Sequence, residues 1–269
     1  MNKLVVVRGA GDLASGIIAR LHACGLKVLA LETSMPGAIR RHVSFSEAIW
    51  LGQTSIEGIN AVKADSKEEI LSQLNNNQVV VAVDPDGRYI QSLQPKVVID
   101  ATMLKTNMIT QIDMAPIVIG IGPGHQVGIH CCVAIESMRG HNLGRIYYDG
   151  TPLADTGAPG VIAGFSRERV CYATASGPLE VVRDITEIVA AGDIIANIGG
   201  VPVYATISGL IRGMLRHGTY VEEGLKIADI DPRLEQLDNC FTISDKARTI
   251  AGSVLEAIIA LSGVSLWQD

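Results

Sequence analysis

Residues 4–16 (LVVVRGAGDLASG) contain the glycines best suited to holding a phosphate group. Gly9-x-Gly11-x-x-Ala14 directly follows an apolar, strand-like run and opens a predicted helix, as in a dinucleotide-binding fingerprint. Gly9 would permit a tight turn, and Gly11 would let backbone amides approach a pyrophosphate. Ala14 and Gly16 would let the helix pack closely on the sheet. The start of that helix would then offer unpaired N–H groups to the phosphates.

Three charged residues bear on that loop. Glu32 ends the next predicted strand, 21 residues after Gly11, where its carboxylate would accept hydrogen bonds from a ribose. Arg8 stands where a small or apolar residue is usual, and Asp12 puts a carboxylate where a pyrophosphate would lie and would repel a dianion. The loop therefore predicts binding of a nucleotide, with NAD or NADP as ligands, or else a structural turn in which Arg8 and Asp12 pair.

Five polar residues further along the chain could supply acid, base or anion-binding groups: Asp100, Lys105, Glu136, Arg139 and His141. Asp100 ends the predicted strand in KVVIDATMLK and Lys105 follows it, and ligands of open α/β sheets bind at the carboxyl ends of strands. The other three crowd into ESMRGHNLGR, a turn suited to binding an anion or moving a proton. A solvated loop and surface salt bridges are the respective alternatives.

Histidines and cysteines cluster between residues 125 and 141, and such side chains bind zinc or a softer metal. The set consists of His125, His130, Cys131, Cys132 and His141. Their spacing matches no standard metal site, and both cysteines lie in an apolar stretch, IHCCVAI, that predicts a buried strand. We therefore predict no metal site, although the sequence leaves the question open.

Strand-like and helix-like segments alternate over residues 3–121 and would position these side chains. Apolar, β-branched runs predict strands buried on both faces, as in parallel sheets covered by helices, at 4–7, 28–32, 79–83, 97–100 and 117–121. Helices are predicted at 12–24, 45–51 and 66–75, the last with a capping box formed by Ser66 and Glu69. The alternation predicts an α/β fold with a Rossmann-like parallel sheet.

Residues 172–198 and 204–230 form an internal repeat, identical at ten of 27 positions at an offset of 32. Each copy predicts a strand, a Ser-Gly turn, a strand, a Val-x-x-Gly turn and a short strand, and the two copies should pack on each other. The pattern resembles the barrel-sandwich hybrid fold of lipoyl and biotinyl domains. Carrier domains of that kind present a modifiable Lys at a hairpin tip, where this chain has Ser176-Gly177 and Ser208-Gly209, so we expect a structural or docking module.

The last predicted helix covers residues 243–263, with Ser244 as its N-cap and Gly263 as its stop. Its predicted apolar face consists of Ala247, Ile250, Ala251, Val254, Leu255, Ile258 and Ile259. This helix would pack on the sheet or on a second subunit, so the sequence leaves a homo-oligomer open. The predicted regions are a Rossmann-like nucleotide-binding domain (1–120), a β-rich connecting segment (121–168), a two-repeat barrel-sandwich-hybrid-like domain (169–235) and this helix.

Composition narrows the classes of function. The chain has 269 residues, of which 48% are apolar, and a net charge of −6. Nucleic-acid binding needs clustered Lys and Arg, and no basic run occurs, so we expect no nucleic-acid partner. No segment approaches a secretory signal or the roughly 18 apolar residues that span a bilayer, so we expect no membrane partner. Five cysteines without framework spacing predict reduced thiols in a cytoplasmic protein.

Six blocks that occur in order carry a family resemblance: VRGAGDLASG, RRHVSFSEAIW, GIGPG, ESMRGHNLGR, DTGAPG and KIADIDPR. Through them the chain resembles, over nearly its full length, the YqeB-type accessory proteins of selenium-dependent molybdenum hydroxylase systems. The resemblance implies a bacterial, cytoplasmic protein with a Rossmann-like NAD(P)-binding region that helps to mature a molybdenum hydroxylase. It carries over the fingerprint glycines, Glu32 and, as an unassigned site, Arg139-Gly140-His141.

Three functions remain open at this point. The leading hypothesis is a nucleotide-binding accessory factor whose partners are a molybdenum hydroxylase or its maturation proteins, with a molybdopterin dinucleotide as one conceivable ligand. An NAD(P)-dependent oxidoreductase acting on a small molecule would need Asp100, Lys105 or His141 within hydrogen-bond reach of a nicotinamide. A non-catalytic scaffold would have a structural glycine loop, with Asp12 bound by Arg8 or by backbone amides.

Overall fold

A computed structural model describes residues 3–105, 109–157 and 160–262. The chain divides into two compact units. The first comprises Met1–Pro36, Ser44–Asp155 and Ile243–Asp269, and the second comprises Gly37–Val43 and Thr156–Thr242. The chain therefore leaves the first unit twice and returns to it with its last helix.

One mixed sheet of nine strands organises the first unit. In chain order the strands are β1 (Leu4–Arg8), β2 (Lys27–Glu32), β3 (Gln53–Ile56), β4 (Ile59–Lys63), β5 (Val79–Val83), β6 (Val97–Asp100), β7 (Ile117–Ile121), β8 (Val133–Ile135) and β9 (Ile146–Tyr147). Their order across the sheet is β3-β4-β5-β2-β1-β6-β7-β8-β9. The seven strands from β4 to β8 pair in parallel, and β3 and β9 pair antiparallel at the two edges. The order reverses at β1, which has β2 on one side and β6 on the other.

Helices cover both faces of this sheet, which gives a mixed α/β fold. They are α1 (Asp12–Ala23), α2 (Glu47–Leu51), α3 (Lys67–Asn75), α4 (Arg88–Leu93) and α5 (Asp245–Ser262). Side chains of β1 alternate between two cores: Val5 and Val7 pack with α1 and α5, whereas Leu4 and Val6 pack with α3 and α4. Burial on both faces explains why the central strands are continuous apolar runs.

Several elements of the first unit match their predictions closely, and others were not predicted. Strands predicted at 79–83, 97–100 and 117–121 have those bounds, and α1 and α3 each differ by one residue at one end. The Ser66 cap is confirmed, because its Oγ accepts a hydrogen bond from the Glu69 amide at 3.2 Å. The sequence did not predict α4 or the hairpin of β3 and β4. Strands β8 and β9, within the predicted connecting segment, pair with the main sheet.

Helix α5 begins as predicted but presents a slightly different apolar face. Ser244 is its cap, because the Ala247 amide donates to Ser244 Oγ at 3.2 Å. The prediction that Ile259 lies on the buried face is wrong, because the 3.6-residue repeat carries this position toward solvent and Ala257 is buried instead. Gly263, its predicted stop, lies outside the described residues. Within the described ranges, each helix is too short or too polar to traverse a lipid bilayer.

The second unit contains eight strands in two four-stranded sheets. They are β10 (Val170–Tyr172), β11 (Gly177–Val181), β12 (Ile188–Val189), β13 (Ile194–Ile198), β14 (Val201–Tyr204), β15 (Gly209–Met214), β16 (Tyr220–Val221) and β17 (Lys226–Asp231). The sheet orders are β10-β17-β15-β12 and β14-β13-β11-β16. Each sheet contains strands of both repeat copies. When every strand is replaced by its equivalent in the other copy, the first sheet order becomes the second.

Each repeat copy has four strands, where the sequence predicts three. The additional strand is β12 in the first copy and β16 in the second, and each has two residues. Both end on the Val of the Val-x-x-Gly turn. They were missed because two-residue strands are too short to show an alternating pattern.

Candidate functional site

The fingerprint loop, Gly9–Asp12, joins β1 to α1 where the strand order reverses. Gly9 has φ +92, and a Cβ atom there would lie 3.0 Å from the Ala101 carbonyl oxygen. Gly11 is the N-cap of α1, and apart from its neighbours in the chain no described atom lies within 4 Å of the position its Cβ would take. The backbone N–H groups of a helix's first turn have no partner within the helix. Gly11 therefore leaves open space beside amide donors.

Glu32, at the end of β2, is attached to the fingerprint loop. Its Oε2 accepts a hydrogen bond from the Ala10 amide at 2.8 Å, and its Oε1 accepts one from the Thr33 amide at 2.8 Å. Each carboxylate oxygen has lone pairs for a second hydrogen bond, and the side chain is partly exposed. Glu32 thus lies at the loop, as the fingerprint pattern predicts, and can still accept a hydrogen bond from a ligand.

Arg8 is buried and pairs with Asp100. Arg8 Nη1 lies 3.0 Å from Asp100 Oδ2 and also donates to Thr110 Oγ1, while Nη2 donates to the Pro85 carbonyl oxygen at 3.1 Å. The predicted pairing of Arg8 with Asp12 is therefore wrong. The physical reason is register: β1 and β6 are adjacent and parallel, and Arg8 lies directly opposite Asp100.

Asp100 is the centre of a buried hydrogen-bond network. Its Oδ1 accepts from the Thr102 amide at 3.0 Å and hydroxyl at 2.6 Å, and its Oδ2 accepts from Thr110 Oγ1 at 2.5 Å. The Nε2 atom of His125 lies 3.5 Å from Oδ2. Burial raises the pKa of the Asp100 carboxyl, but these contacts and the Arg8 charge outweigh burial and hold the pKa well below its usual range. At neutral pH this group is an ionised anchor between neighbouring strand ends.

Gly16 and Ala14 have different packing roles. A Cβ atom at Gly16 would lie 2.8 Å from the Ala247 Cβ and 3.0 Å from the Ala247 carbonyl oxygen. The prediction that Gly16 lets α1 approach the sheet is therefore wrong, because this side of α1 faces α5. Ala14 is buried in the core that α1 shares with the sheet.

The segment ESMRGHNLGR is held by its own charged residues. Glu136 is fully buried, and its carboxylate accepts from the Met138 amide at 2.7 Å and the Leu153 amide at 2.9 Å. Arg139 makes two hydrogen bonds, of 2.7 and 2.6 Å, to the carboxylate of Asp245, the first residue of α5. His141 is exposed on the turn. The structure thus engages Glu136 and Arg139 in fixing this turn.

Lys105 does not pair with Asp100, although the two are close in sequence. Its Nζ lies 2.8 Å from Asp155 Oδ2, and most of the Lys105 side chain is exposed. Residues 106–108, which follow Lys105, lie outside the described ranges. Asp100 and Lys105 therefore belong to two separate ion pairs.

Sequence reasoning missed Lys246, the second residue of α5. Burial lowers the pKa of Lys246 and the Arg139 charge lowers it further, while the carboxylates of Asp12, Glu136 and Asp155 act in the opposite direction. The charged groups that act on the ammonium belong to the fingerprint loop (Asp12), to the ESMRGHNLGR turn (Glu136 and Arg139) and to Asp155. A cap at Ser244 marks the start of the helix, but the sequence does not indicate which loop lies beside it.

The candidate metal ligands do not assemble, because no three His, Cys, Asp or Glu side chains within the described ranges form a group that could hold a metal ion. His130 Nδ1 accepts a hydrogen bond from the Gln126 amide at 3.0 Å. Cys131 is buried, which raises the pKa of its thiol to about 12. The His125 ring packs on β7, where a Cβ atom at Gly120 would lie 2.4 Å from it.

Sequence comparison finds one curated relative. The chain matches no protein-family model. A protein of Escherichia coli (strain K12), YqeB, which is described as uncharacterized, is 42% identical over 261 residues, covering 97% of this chain and 48% of that protein. The chain spans about half the length of this curated relative. The relative's name agrees with the family that the sequence blocks resemble, and it supplies no activity.

Comparison with solved structures finds distant similarity to several proteins. A succinylglutamate desuccinylase/aspartoacylase from Rhodobacter sphaeroides is 14% identical with a TM-score of 0.29, covering 85% of each chain. An aspartoacylase family protein from Mesorhizobium loti is 10% identical with a TM-score of 0.27, covering 86% of this chain and 85% of that one. The ectoine utilization protein EutE (DoeB) from Ruegeria pomeroyi, with product bound, is 11% identical with a TM-score of 0.23, covering 85% and 57%. These TM-scores are too low to assign a shared fold or activity.

Proposed function

We propose that the first unit binds a dinucleotide at the fingerprint loop and that the chain is an accessory factor in the maturation of a selenium-dependent molybdenum hydroxylase. One observation carries the binding proposal: the N-cap of α1 is a glycine with open space beside it, at the carboxyl end of β1. Ligands of open α/β sheets bind at that edge, where the strand order reverses. The accessory role rests on the family resemblance and on the 42% identity to YqeB.

The strand order supports a Rossmann-like fold for the first unit. The neighbouring strands β5-β2-β1-β6-β7-β8, renumbered in chain order, run 3-2-1-4-5-6, which is the order of dinucleotide-binding sheets. In this proposal three strands are additions to the six-stranded Rossmann-like sheet: β3 and β4 beyond β5, and β9 beyond β8. In the second unit, two equivalent sheets built from both repeat copies support a barrel-sandwich-hybrid-like domain.

We propose NAD rather than NADP as the ligand. The Glu32 carboxylate at the loop would accept a hydrogen bond from a ribose 2′-hydroxyl and would repel a 2′-phosphate. The carboxylate of Asp12 disfavours a terminal phosphate dianion. It is less unfavourable to a pyrophosphate diester, which has one negative charge on each phosphate. A molybdopterin cytosine dinucleotide has the same pyrophosphate and is the second ligand to test.

The geometry gives less support to an NAD(P)-dependent oxidoreductase. Asp100 is 3% exposed and ionised within its network, so it is poorly placed to exchange a proton with a substrate. Lys105 is ion-paired with Asp155. The described site therefore favours a binding role over acid–base chemistry by these two residues.

Calorimetric titration of wild type and Gly11→Val with NAD, NADP and molybdopterin cytosine dinucleotide tests the binding proposal. Valine is compatible with the backbone, because Gly11 has φ −71 and ψ −172 and its Cβ would meet no described atom within 4 Å beyond its neighbours in the chain. We expect binding to weaken at least about tenfold, which corresponds to about 1.4 kcal/mol, because the side chain would fill the space for the pyrophosphate. Gly37→Val, at another open and exposed glycine, should bind like wild type.

Lack of binding to wild type, or equal binding to Gly11→Val, would exclude this site. The accessory role has its own test in a bacterial strain that lacks the gene. Molybdenum hydroxylase activity should be lost there and restored by wild type but not by Gly11→Val. Full activity in the deletion strain would refute the accessory role and leave the binding measurement unaffected.

A further inference from the structure

Lys246 is an ammonium group without a direct partner in the described part of the chain. No hydrogen bond or close ion pair joins its Nζ to another described residue, although carboxylates act on it from a longer distance. Two nearby cations are engaged, Arg139 with Asp245 and Lys105 with Asp155. The distant carboxylates compensate this partly buried charge only in part, so a bound anion in direct contact would stabilise Lys246.

Helix packing brings Lys246 to the fingerprint loop. The contact between Gly16 and Ala247 fixes the start of α5 against the first turns of α1. Asp12 lies four residues before Gly16, hence on the same side of α1 and at its N-terminus. Lys246 directly precedes Ala247, and its interaction with Asp12 agrees with this placement.

We propose that Lys246 donates hydrogen bonds to the pyrophosphate of the dinucleotide and thereby selects a pyrophosphate diester as ligand; this rests on the proposed function. The surroundings set the ligand class. The charges of Asp12, Glu136 and Asp155 act on the ammonium from a longer distance and offset its attraction for a phosphate dianion. Each phosphate of a pyrophosphate diester has one negative charge, which suits a lysine on which carboxylates also act. The ligand would then be held by the amides beside Gly11 on one side and by Lys246 on the other.

Titration of NAD into Lys246→Met, Lys246→Arg and wild type tests this proposal. A hydrogen bond to a charged group supports a loss of about 10- to 100-fold in affinity for the methionine variant, and arginine should restore most of it. Lys96→Met is the matched control. Lys96 is exposed and directly precedes β6, so it lies at the amino ends of the parallel strands, whereas the fingerprint loop lies at their carboxyl ends. It should bind NAD like wild type.

The possible outcomes separate the two proposals. If wild type binds NAD and Lys246→Met binds it equally well, the role of Lys246 is refuted and the proposed site stands. If wild type binds neither NAD nor the molybdopterin dinucleotide, both proposals fall.

A measurement on the wild-type protein avoids any folding defect that a substitution could cause. Lysines are acetylated with and without NAD, and the extent at each position is read by mass spectrometry. NAD should protect Lys246 several-fold and leave Lys96 unchanged. Binding of NAD without protection of Lys246 would overturn the inference.

Discussion

Replacing Asp100 with Asn removes the negative charge that faces Arg8 and keeps the size of the side chain. Arg8 is 4% exposed, so the variant leaves a buried cation without its counter-charge. Removing one partner of such a buried pair costs about 3–5 kcal/mol. Domains are typically stable by only about 5–15 kcal/mol. We therefore expect Asp100→Asn to remove a large part of the free energy of unfolding of the first unit.

Unfolding in urea is monitored by hydrogen–deuterium exchange. Peptides from β1 and β6 report on the first unit alone. Asp86→Asn is the control, because Asp86 is exposed, and it should change stability by less than about 0.5 kcal/mol. The double variant Arg8→Met/Asp100→Leu leaves no buried charge at this position. It should recover much of the lost stability, because apolar replacements of buried ion pairs are often close to neutral.

The pH dependence gives an independent check. The pKa of Asp100 in the folded protein is lower than its unfolded value of about 3.9. Its stabilising contribution is therefore complete at pH values above the unfolded pKa and is lost as the pH falls from there toward the folded pKa. The difference between wild type and Asp100→Asn should be full near pH 7 and smaller near pH 3. A loss below about 1 kcal/mol near pH 7, or a difference that does not shrink in acid, would refute the reasoning.

Two further predictions concern packing and thiol reactivity. Gly16→Ala should lower the free energy of unfolding by about 1–3 kcal/mol, because the new methyl group would overlap Ala247. Gly252→Ala, in α5 with open space around its Cβ, should raise it by about 0.5–1 kcal/mol. Thermal unfolding measures both, and a Gly16→Ala protein as stable as wild type would contradict the close helix contact. Cys131, with a thiol pKa of about 12, should react with iodoacetamide much more slowly than the partly exposed Cys24 near pH 8, and equal rates by mass spectrometry would contradict its burial.

The sequence predicts the centre of the first sheet because its strands are apolar on both faces. VVVAV, VVID and IVIGI carry that signal and have the predicted bounds. The β3–β4 hairpin was missed because QTSI and INAVK mix polar and apolar residues. The turn that connects the two strands is Glu57-Gly58. Both residues have positive φ values, +48 and +80, as a two-residue hairpin turn requires, and Gly58 is the feature of the sequence that could have indicated it.

The candidate site was only partly predictable, because some of its residues are close together in the sequence and others are far apart. A local pattern located Gly9, Gly11 and Glu32, which one βαβ unit brings together. Arg8 and Asp100 are 92 residues apart, and no local pattern contains the register of β1 with β6 that makes them neighbours. Lys246 reaches the site through the packing of α5 on α1, which depends on the complete unit.

Because α5 belongs to the first unit but comes last in the chain, the first unit can finish folding only after the second unit has been synthesised. The strands and α1 are synthesised first, and residues 156–242 follow before α5 emerges. Until then, the apolar side chains that α5 covers face the solvent or a chaperone, as in other partly synthesised chains. A nascent chain without α5 also lacks Lys246. If the first unit binds a dinucleotide as proposed, the contribution of Lys246 to that binding would be absent until α5 has been synthesised and has packed on α1.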